Sequence, residues 1–392
     1  MTKKFLITRF PYEAVFSGEE IHTLQLSEKL RENNHQISFA GSCPVLLPEF
    51  AKRNFQSSKF WGGKALVSTK SFWIFVFTFP FVILSFLQLA YIAKFKWKID
   101  CVYMLSLNEK LFLTPWLKLF KLKAIWVEHS RVGDWLIKNP FLFLYKKLSK
   151  SVQVISVSKK TQKQLIDLEI EEKQVHFILN GVDLETLQKT SKIGIQKWQK
   201  QNLQSEFFPK IKPEMEKKIG LITRLYPDKG IDYFLGALPK LIEKHPEIEV
   251  FVVGEGPYAK EYQYFAKGLP VKFLGKLEHS EIKYFLNSID YFILPSSAHD
   301  PFGLAPAEAM ACGKPVIVTD VCGISEFMQN EKDGLIIPAR NSNAIATAFE
   351  KLFNDEKLTN NLAKSGYKLA KEKFSLDRMT EEYIKLLNSF IL

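Results

Sequence analysis

The chain has 392 residues, of which 46% are hydrophobic and 24% charged, and this composition excludes a disordered protein and predicts more than one globular domain. Its net charge is +12. The four cysteines form neither a Cys-x-x-Cys pair nor a dense framework, which excludes a disulfide scaffold and fits a reducing compartment without a metal site. The apolar stretch near the N-terminus is too short for a signal peptide, so we expect a cytoplasmic protein.

Strand and helix patterns alternate along the first half of the chain. The segments KKFLITRF and HQISFAG have strand patterns, and SGEEIHTLQLSEKLRENN between them has the spacing of an amphipathic helix. Further strands are predicted at residues 101–105, 124–127, 153–157 and 175–179. This alternation predicts a mostly parallel sheet covered by helices.

Positive charge and a long apolar run coincide in this half. Residues 51–160 contain 19 Lys and Arg against 4 Asp and Glu, and residues 72–93 contain no charge and are flanked by lysines. The run is long enough to span a membrane, but strands of one sheet are predicted on both sides of it, and Pro80 favours a kink or a hairpin turn. We favour a helix or hairpin at a membrane surface over a span or a buried helix, and an anionic membrane over nucleic acid as the partner.

The strand and helix pattern starts again in the second half. Strands are predicted at KKIGLITR, IEVFVVGEG, VKFLG, YFILPS and PVIVTD, with a helix at GIDYFLGALPKLIEKHP. We therefore predict two doubly wound α/β domains that face a cleft, the first at residues 1–183 and the second at 217–372. Residues 184–216 are predicted as a polar linker. A C-terminal helix is predicted at residues 373–392, and the prediction allows it to cross back to the first domain.

Two cations follow the first strand of the second domain. Arg224 ends this strand, and Lys229 precedes Gly230 at the start of a helix. Because ligands of α/β sheets bind at the carboxyl ends of strands, the pair predicts a phosphate site rather than a solvated surface. Gly254, in the sequence GEGP after the next strand, is compatible with a turn or with a nucleotide contact.

Two carboxylates stand eight positions apart in HDPFGLAPAEAMACGKPVIVTD. Asp300 lies in a loop after a predicted strand, and Glu308 lies in a helix of small residues that begins near Gly303. Free backbone N–H groups at a helix start favour anions or hydroxyls. Asp300 as a cap and Glu308 as a solvated residue are the structural alternatives, but the alanines around Glu308 indicate a closely packed helix. The spacing allows each carboxylate to hold the hydroxyls of a different ring of one ligand.

This stretch resembles the E-x7-E signature of glycosyltransferase family 4, also called group 1, whose members are retaining, nucleotide-sugar-dependent enzymes with the GT-B fold of two Rossmann-like domains. The resemblance extends through Arg224 and Lys229, and through GEGP, CGISEFM, DGLIIP, NGVD and ISVS, and is weak between residues 42 and 120. The chain departs from the family at Asp300, where Glu is usual. It also departs at Ser17, where the loop after the first strand usually has a second glycine beside Gly18.

The resemblance implies a role for each candidate residue of the second domain. Arg224 and Lys229 would neutralise the departing diphosphate, and Glu308 would bind the ribose. Asp300 and the backbone of Phe302, Gly303 and Leu304 would hold the donor sugar, and Gly254 is counted with the nucleotide-sugar contacts.

The resemblance also implies roles in the first domain. Gly18 would let the backbone approach a phosphate. His129, at the end of AIWVEHSR, would contact the donor sugar near the reacting centre. The neighbouring Glu128 and the distant Glu326 are less specific candidates.

The predicted function is transfer of a hexosyl group from a nucleotide-diphosphate sugar to a lipid-linked or cell-envelope glycan, at the cytoplasmic face of the membrane. No cofactor or divalent metal is expected, and a UDP-sugar is favoured over a GDP-sugar as donor. Two alternatives stay open: an epimerase or phosphorylase on the same fold, and a nucleotide-sugar-binding membrane protein without turnover.

Overall fold

The computed structural model describes residues 2–10, 18–63, 69–129, 134–188, 190–202 and 217–391. The chain forms two compact units, one of Met1–Asn180 with Leu376–Leu392 and one of Gly181–Ser375. Ser17 lies outside the described residues. So do residues 203–216, which form the C-terminal part of the segment expected as a linker.

The described part of the first unit is built on a sheet of seven parallel strands. In chain order these are β1 Lys4–Arg9, β2 Gln36–Gly41, β3 Gln56–Lys59, β4 Cys101–Met104, β5 Lys123–Glu128, β6 Gln153–Ser156 and β7 Val175–Phe177. Their order across the sheet is β3-β2-β1-β4-β5-β6-β7. Helices connect them: α1 Gly18–Glu32, α2 Leu46–Lys52, α3 Thr69–Tyr91, α4 Leu107–Phe112, α5 Thr114–Leu119, α6 Asp134–Ile137, α7 Leu142–Ser149 and α8 Lys159–Asp167.

The second unit repeats this plan with six described strands. They are β8 Lys217–Ile222, β9 Ile248–Val253, β10 Val271–Gly275, β11 Tyr291–Leu294, β12 Val316–Thr319 and β13 Leu335–Ile337. Their order is β10-β9-β8-β11-β12-β13, again with parallel neighbours. The helices are α9 Leu184–Gln188, α10 Lys192–Asn202, α11 Ile231–Lys244, α12 Ala259–Phe265, α13 His279–Ser288, α14 Leu304–Ala311, α15 Ser342–Asn354 and α16 Glu356–Lys373.

The last helix, α17 at Leu376–Ile391, belongs to the first unit. Alternate residues of β1 point to opposite faces of the sheet, as the period of a strand requires. Leu6 lies in one core with Phe86 of α3, whereas Phe5 and Ile7 lie in the other with Tyr383 of α17. The first sheet is therefore covered on both faces, and α17 supplies part of one cover.

The predicted fold class is confirmed: each unit is a parallel, Rossmann-like sheet with helices. Two described strands have no strong signal in the sequence. β3 has the sequence QSSK and lies at the sheet edge, where no apolar alternation is needed, and β13 is only three residues long. α9 and α10, which fall in the segment expected as a linker, are part of the second unit.

The apolar run at residues 72–93 lies in α3 and in the π-helical turn Ile92–Lys96 that follows it. It forms a helix rather than a hairpin, and Pro80 lies inside it without ending it. By length and composition the segment Phe77–Lys96 could cross a membrane, and 28% of it is buried within the protein.

Candidate functional site

The carboxyl ends of β8 and β11 mark the point where the strand order of the second sheet reverses. β8 pairs with β9 on one side and with β11 on the other, and these two neighbours lead away in opposite directions. Ligands of doubly wound sheets bind at such a switch point, beyond the carboxyl ends of the strands. Arg224 and Lys229 follow β8 and Asp300 follows β11, so the fold brings the predicted residues to this point.

Lys229 and Asp300 form a buried ion pair. Their Nζ and Oδ2 atoms are 2.7 Å apart, and Asp228 adds a longer contact of 3.6 Å to the same ammonium group. Burial opposes the charge on Lys229, but the two carboxylates outweigh it and the pKa of Lys229 lies above its usual value. Lys229 therefore stays protonated at neutral pH and lies against a carboxylate at the switch point.

Arg224 supplies a second, more accessible cation. It is exposed, and its guanidinium carbon lies 5.2 Å from the centre of the Tyr226 ring. Its charge acts on Lys229, whose pKa it lowers slightly against the larger effects of burial and Asp300. Within the described residues Arg224 has no ion-pair partner, so it is free to bind an anion.

Glycines hold the loops around Arg224 and Lys229 close together. A Cβ on Gly254 would lie 1.8 Å from the carbonyl oxygen of Thr223, and one on Gly256 would lie 2.3 Å from that of Leu225. A Cβ on Gly230 would lie 2.1 Å from the carbonyl oxygen of Pro295, just after β11. A side chain at Gly254 would therefore collide with the backbone of Thr223. The close approach of the two glycines holds the backbone on both sides of Arg224.

The loop from Asp300 to α14 is tied to the turn after β12. Asp300 donates its N–H to Val321 at 3.2 Å, and its carbonyl accepts the N–H of Gly323 at 2.8 Å. Phe302 donates its backbone N–H to Oδ1 of Asp300 at 3.4 Å. Its ring is buried against Phe374, with the ring centres 5.5 Å apart. These contacts fix the Asp300 carboxylate in front of α14.

Gly303 directly precedes α14 and has a backbone conformation that favours glycine. Its φ is +90°, and a Cβ there would lie 2.8 Å from Sγ of Cys322. Leu304 is the first residue of the helix, as expected from the sequence. The backbone of residues 302–304 therefore lies next to Asp300 of the Lys229–Asp300 pair, where the family resemblance implies the donor sugar.

Glu308 lies inside α14, and its side chain is nearly buried. The residue is 6% exposed, and burial raises the pKa of its carboxyl group to about 7. Across the described ranges, no hydrogen bond or ion pair reaches its carboxylate oxygens. A buried carboxylate without partners is unfavourable by itself and is well suited to accept ligand hydroxyls.

His129 follows β5 of the first unit and is held neutral. Its ring packs edge-on against His22, with centres 4.6 Å apart. Burial, followed by the charges of His22, Arg9 and Lys110, keeps its pKa well below the usual range. Nε2 is buried and has no hydrogen-bond partner in the described part of the chain. This nitrogen can donate to or accept from a ligand hydroxyl, but the ring is unsuited to carry a positive charge.

A buried network next to His129 has no local signal in the sequence. Lys110 and Tyr145 each lie 2.7 Å from Oε1 of Glu128, and Lys110 also donates to the carbonyl of Val127 at 2.7 Å. The three side chains come from α4, β5 and α7, so only the fold brings them together. They fix the end of β5 from which His129 projects.

Gly18 begins α1, as predicted for the loop after β1. The adjoining Glu19 forms an ion pair with Arg9, and Glu20 lies 3.0 Å from the same guanidinium. Burial raises the pKa of Glu19 to about 7, although Arg9 lowers it. An anion near Gly18 would therefore meet both Arg9 and acidic side chains. Gly18 and His129 belong to the first unit, and the other predicted site residues belong to the second.

Glu326 lies in the turn Gly323–Phe327 and is exposed. Its position gives no geometric support for a particular ligand contact. No group of three or more His, Cys, Asp or Glu residues is placed to hold a metal ion in the parts of the chain that the structure describes.

Two family models match the chain. Residues 202–369 match the model described as Glycosyl transferases group 1, and residues 16–186 match Glycosyltransferase Family 4. The first match contains the six described strands of the second sheet, the second contains β2 to β7 of the first sheet, and together they span most of the chain.

Curated relatives and solved structures agree with these matches. An uncharacterized glycosyltransferase of Methanocaldococcus jannaschii is 29% identical over 62% of this chain and 61% of its own length. The capsular polysaccharide biosynthesis glycosyltransferase CapM of Staphylococcus aureus is 29% identical over 44% of this chain and 46% of its own. The chain thus matches less than two thirds of either relative. The crystal structure of Anabaena HepE with UDP and glucose has a TM-score of 0.80 at 19% identity, covering 99% of this chain and all of that one, which shows the shared fold.

Proposed function

We propose that this glycosyltransferase, whose two units match the models for group 1 glycosyl transferases and for glycosyltransferase family 4, moves a hexosyl group from a nucleotide-diphosphate sugar to an acceptor hydroxyl with retention of configuration. The observation that carries this proposal is the arrangement at the switch point of the second sheet. There, an accessible arginine and a buried Lys–Asp pair lie on the loops after β8 and β11, and α14, which follows the second loop, carries a buried glutamate that has no partner among the described residues.

Each group has a distinct part in the proposed reaction. Arg224 and Lys229 bind the diphosphate and stabilise the negative charge that grows on it as the bond to the sugar breaks. Glu308 accepts the ribose hydroxyls. Asp300, with the backbone of residues 302–304, positions the donor sugar, and His129 contacts the same sugar as a neutral hydrogen-bonding group.

Retention follows if the acceptor attacks from the side on which the diphosphate departs. The sugar then passes through a state resembling an oxocarbenium ion, and stabilisation of the leaving group is the largest effect that this set of residues can supply. Two cations at the diphosphate provide this stabilisation without a divalent metal.

We favour a UDP-sugar over a GDP-sugar as donor, and a lipid-linked or cell-envelope glycan as acceptor. A protein of the same fold has been crystallised with UDP and glucose, which supports the donor. The relative CapM is named for capsular polysaccharide biosynthesis, which supports a glycan acceptor.

The donor is best identified by thermal shift with UDP-, GDP- and ADP-sugars, because a ligand that binds only the folded state raises the melting temperature. Release of the nucleoside diphosphate then reports turnover, and the anomeric configuration of the product reports retention. Arg224→Ala should weaken donor binding and lower turnover at least tenfold, since its contact strengthens in the transition state. Lys260→Ala, at an exposed site on α12, is the matched control.

The outcomes separate the alternatives. Interconversion of the donor without transfer would indicate an epimerase, and phosphate-dependent cleavage of a glycan would indicate a phosphorylase. Binding without any turnover would leave a nucleotide-sugar-binding protein. Wild-type turnover by the Arg224 variant would contradict the assignment of the phosphate site.

A further inference from the structure

An exposed apolar stripe runs along α3 and the π-helical turn after it. Its apolar members, together with Gln88, follow one another three or four residues apart, so that they share one face of the helix. They are Phe77, Phe81, Leu84, Tyr91 and Phe95. Their exposed fractions range from 55% for Phe95 to 79% for Phe77. The solvent face of a helix is normally polar, and in this stripe only Gln88 is.

The opposite face of α3 is part of the core of the first unit. Its fully buried residues are Val82, Phe86, Leu89 and Ala90, and Ala93 of the π-helical turn continues them. The ring of Phe86 packs edge-on against Phe10, just after β1, with the centres 4.9 Å apart. α3 also lies in the chain between β3 and β4, which belong to one sheet. A helix held in this way cannot cross a bilayer while the sheet stays intact, so the stripe is a surface feature.

Lysines cluster at the C-terminal end of the stripe. Lys94, Lys96 and Lys98 follow α3 directly. Phe120, at the end of α5, packs against Phe95 with ring centres 5.7 Å apart, and it brings Lys118 and Lys121 to the same end. Among the residues that the structure describes, none of these five lysines has an acidic partner within ion-pair distance.

From these two features we propose that the stripe and its lysines form a docking surface for an anionic phospholipid bilayer, with α3 lying along the membrane plane. Exposed aromatic and aliphatic side chains enter the boundary between headgroups and acyl chains, and lysines attract the anionic headgroups around them. Leu119, which is 64% exposed beside Phe120, extends the apolar surface onto α5. With the expected cytoplasmic location, this makes the protein peripheral on the cytoplasmic face of the membrane.

A bilayer fits this surface better than a second copy of the chain. Two copies meeting through the stripe about a twofold axis would either bring their own lysine clusters together, where the charges repel, or place each cluster against the uncharged apolar run of the other copy, which supplies no negative charge. An anionic bilayer instead supplies apolar depth and neutralising charge together. Membrane docking through this surface does not require the transfer reaction, and it is tested without any donor sugar.

The test is co-sedimentation of the full chain with vesicles of phosphatidylcholine alone, or of phosphatidylcholine mixed with phosphatidylglycerol. We expect binding to the mixed vesicles at about 0.1 M salt and loss of most of it at about 1 M salt, where the Debye length falls from about 10 Å to about 3 Å. Equal recovery in the supernatant with both vesicle types at low salt would overturn the proposal.

Two sets of variants examine the two contributions separately. Phe81→Ser with Leu84→Ser should weaken binding to mixed vesicles at least tenfold. Tyr264→Ser with Phe265→Ser, at exposed positions of the second unit, should leave binding unchanged. All four side chains are at least half exposed, so the melting temperatures of both double variants should stay close to that of the wild type.

The charge variants need no change in the apolar surface. Replacing Lys94, Lys96 and Lys98 by Gln should weaken binding roughly ten- to hundredfold at low salt. The control replaces Lys357, Lys364 and Lys371, which are exposed on α16, and should have little effect. Equal losses in the test and control sets would overturn the proposal. A change of oligomeric state with unchanged vesicle binding would also overturn it and would identify a second copy as the occupant.

Discussion

At the scale of single residues, Glu308 combines a poor environment for its charge with a strong capacity for binding. Its carboxylate is nearly buried and accepts no hydrogen bond within the described ranges, so ionisation is unfavourable until a ligand supplies donors. Functional carboxylates are often held in this condition, because the binding energy of the ligand then compensates for the buried charge.

Replacing Glu308 by Gln should therefore raise stability and lower donor binding. The folded pKa of about 7 lies above the ordinary value of 4.5, so this group favours folding below about pH 4.5 and loses that contribution as the pH rises through 7. We expect the variant and the wild type to have equal melting temperatures at pH 5. At pH 8 the free energy of unfolding should be higher for the variant by about 2 kcal/mol. Calorimetry between these pH values measures the difference, and donor titration measures the loss of affinity.

Glu261→Gln is the control for this experiment, because Glu261 is exposed on α12. The control should change stability little at any pH. A difference between wild type and the Glu308 variant that stays constant from pH 5 to pH 8 would show that burial of this charge is not what limits stability.

The Lys229–Asp300 pair is predicted to be strongly coupled. Removing one partner leaves the other charge buried, and such losses amount to about 3 to 5 kcal/mol in proteins. Lys229→Met and Asp300→Asn should each destabilise the chain, and the double variant should lose less than the sum, by about 1 to 3 kcal/mol. Denaturant unfolding of the four proteins in the cycle measures this coupling.

Turnover is expected to behave differently from stability in the same cycle. Both single variants and the double variant should lose most of their activity, because Lys229 and Asp300 have separate proposed contacts with the donor. Additive effects on stability would mean that the 2.7 Å contact contributes nothing, and recovery of activity in the double variant would contradict the separate roles.

At the scale of elements, the start of α14 shows why one position is glycine. Gly303 has a φ of +90° and lies against Cys322, so a side chain would meet both backbone strain and a close contact. Gly268 has a φ of +80°, but a Cβ there would have nothing within 4 Å. The two glycines therefore separate the effect of conformation from the effect of packing.

Gly303→Ala is expected to destabilise the chain more than Gly268→Ala, which carries only the conformational effect of about 1 kcal/mol or slightly more. The displaced loop should also weaken donor binding several-fold in the Gly303 variant and leave it unchanged in the other. Melting temperatures and donor titrations of both variants check this. Equal effects of the two substitutions would show that the contact with Cys322 is relaxed at little cost.

The elements also show which parts of the fold can be predicted from the sequence. Strands such as β5 and β9 are buried on both faces and have continuous apolar runs, so their position is evident. β3 is a polar edge strand whose existence depends on pairing with β2, and this leaves no local pattern. For α3, length, composition and Pro80 allow either a helix or a hairpin, and the structure has one helix whose Phe86 packs against Phe10.

The same distinction applies to the candidate site. Arg224, Lys229, Asp300 and Glu308 are candidates from the sequence because each follows a predicted strand or lies in a helix of unusual composition. The contact between Lys229 and Asp300 joins residues 71 positions apart, and no local sequence pattern predicts that they meet. The network around Glu128 is similar, because its three members come from separate elements that meet only after folding.

At the scale of the whole molecule, charge is divided between the two halves of the chain. The first 190 residues have 27 Lys and Arg against 16 Asp and Glu, whereas the remaining residues have 27 against 26. The lysine cluster at Lys94, Lys96 and Lys98 and the apolar stripe belong to the first unit, and the proposed diphosphate site belongs to the second. Binding to a membrane and binding of a donor are therefore expected to be separable, each with its own variants.

The final prediction is that turnover survives removal of divalent metals. The positive charge needed at the departing diphosphate is supplied by Arg224 and by Lys229, which remains protonated beside Asp300. In the described ranges no group of acidic, His or Cys residues is arranged to hold a metal that could take over this task. With donor and acceptor in excess, turnover in EDTA should stay within about twofold of the untreated rate, whereas Arg224→Ala should lower it at least tenfold in either condition. Complete loss of activity in EDTA with recovery on adding magnesium would show that a metal, rather than this pair of cations, stabilises the leaving group.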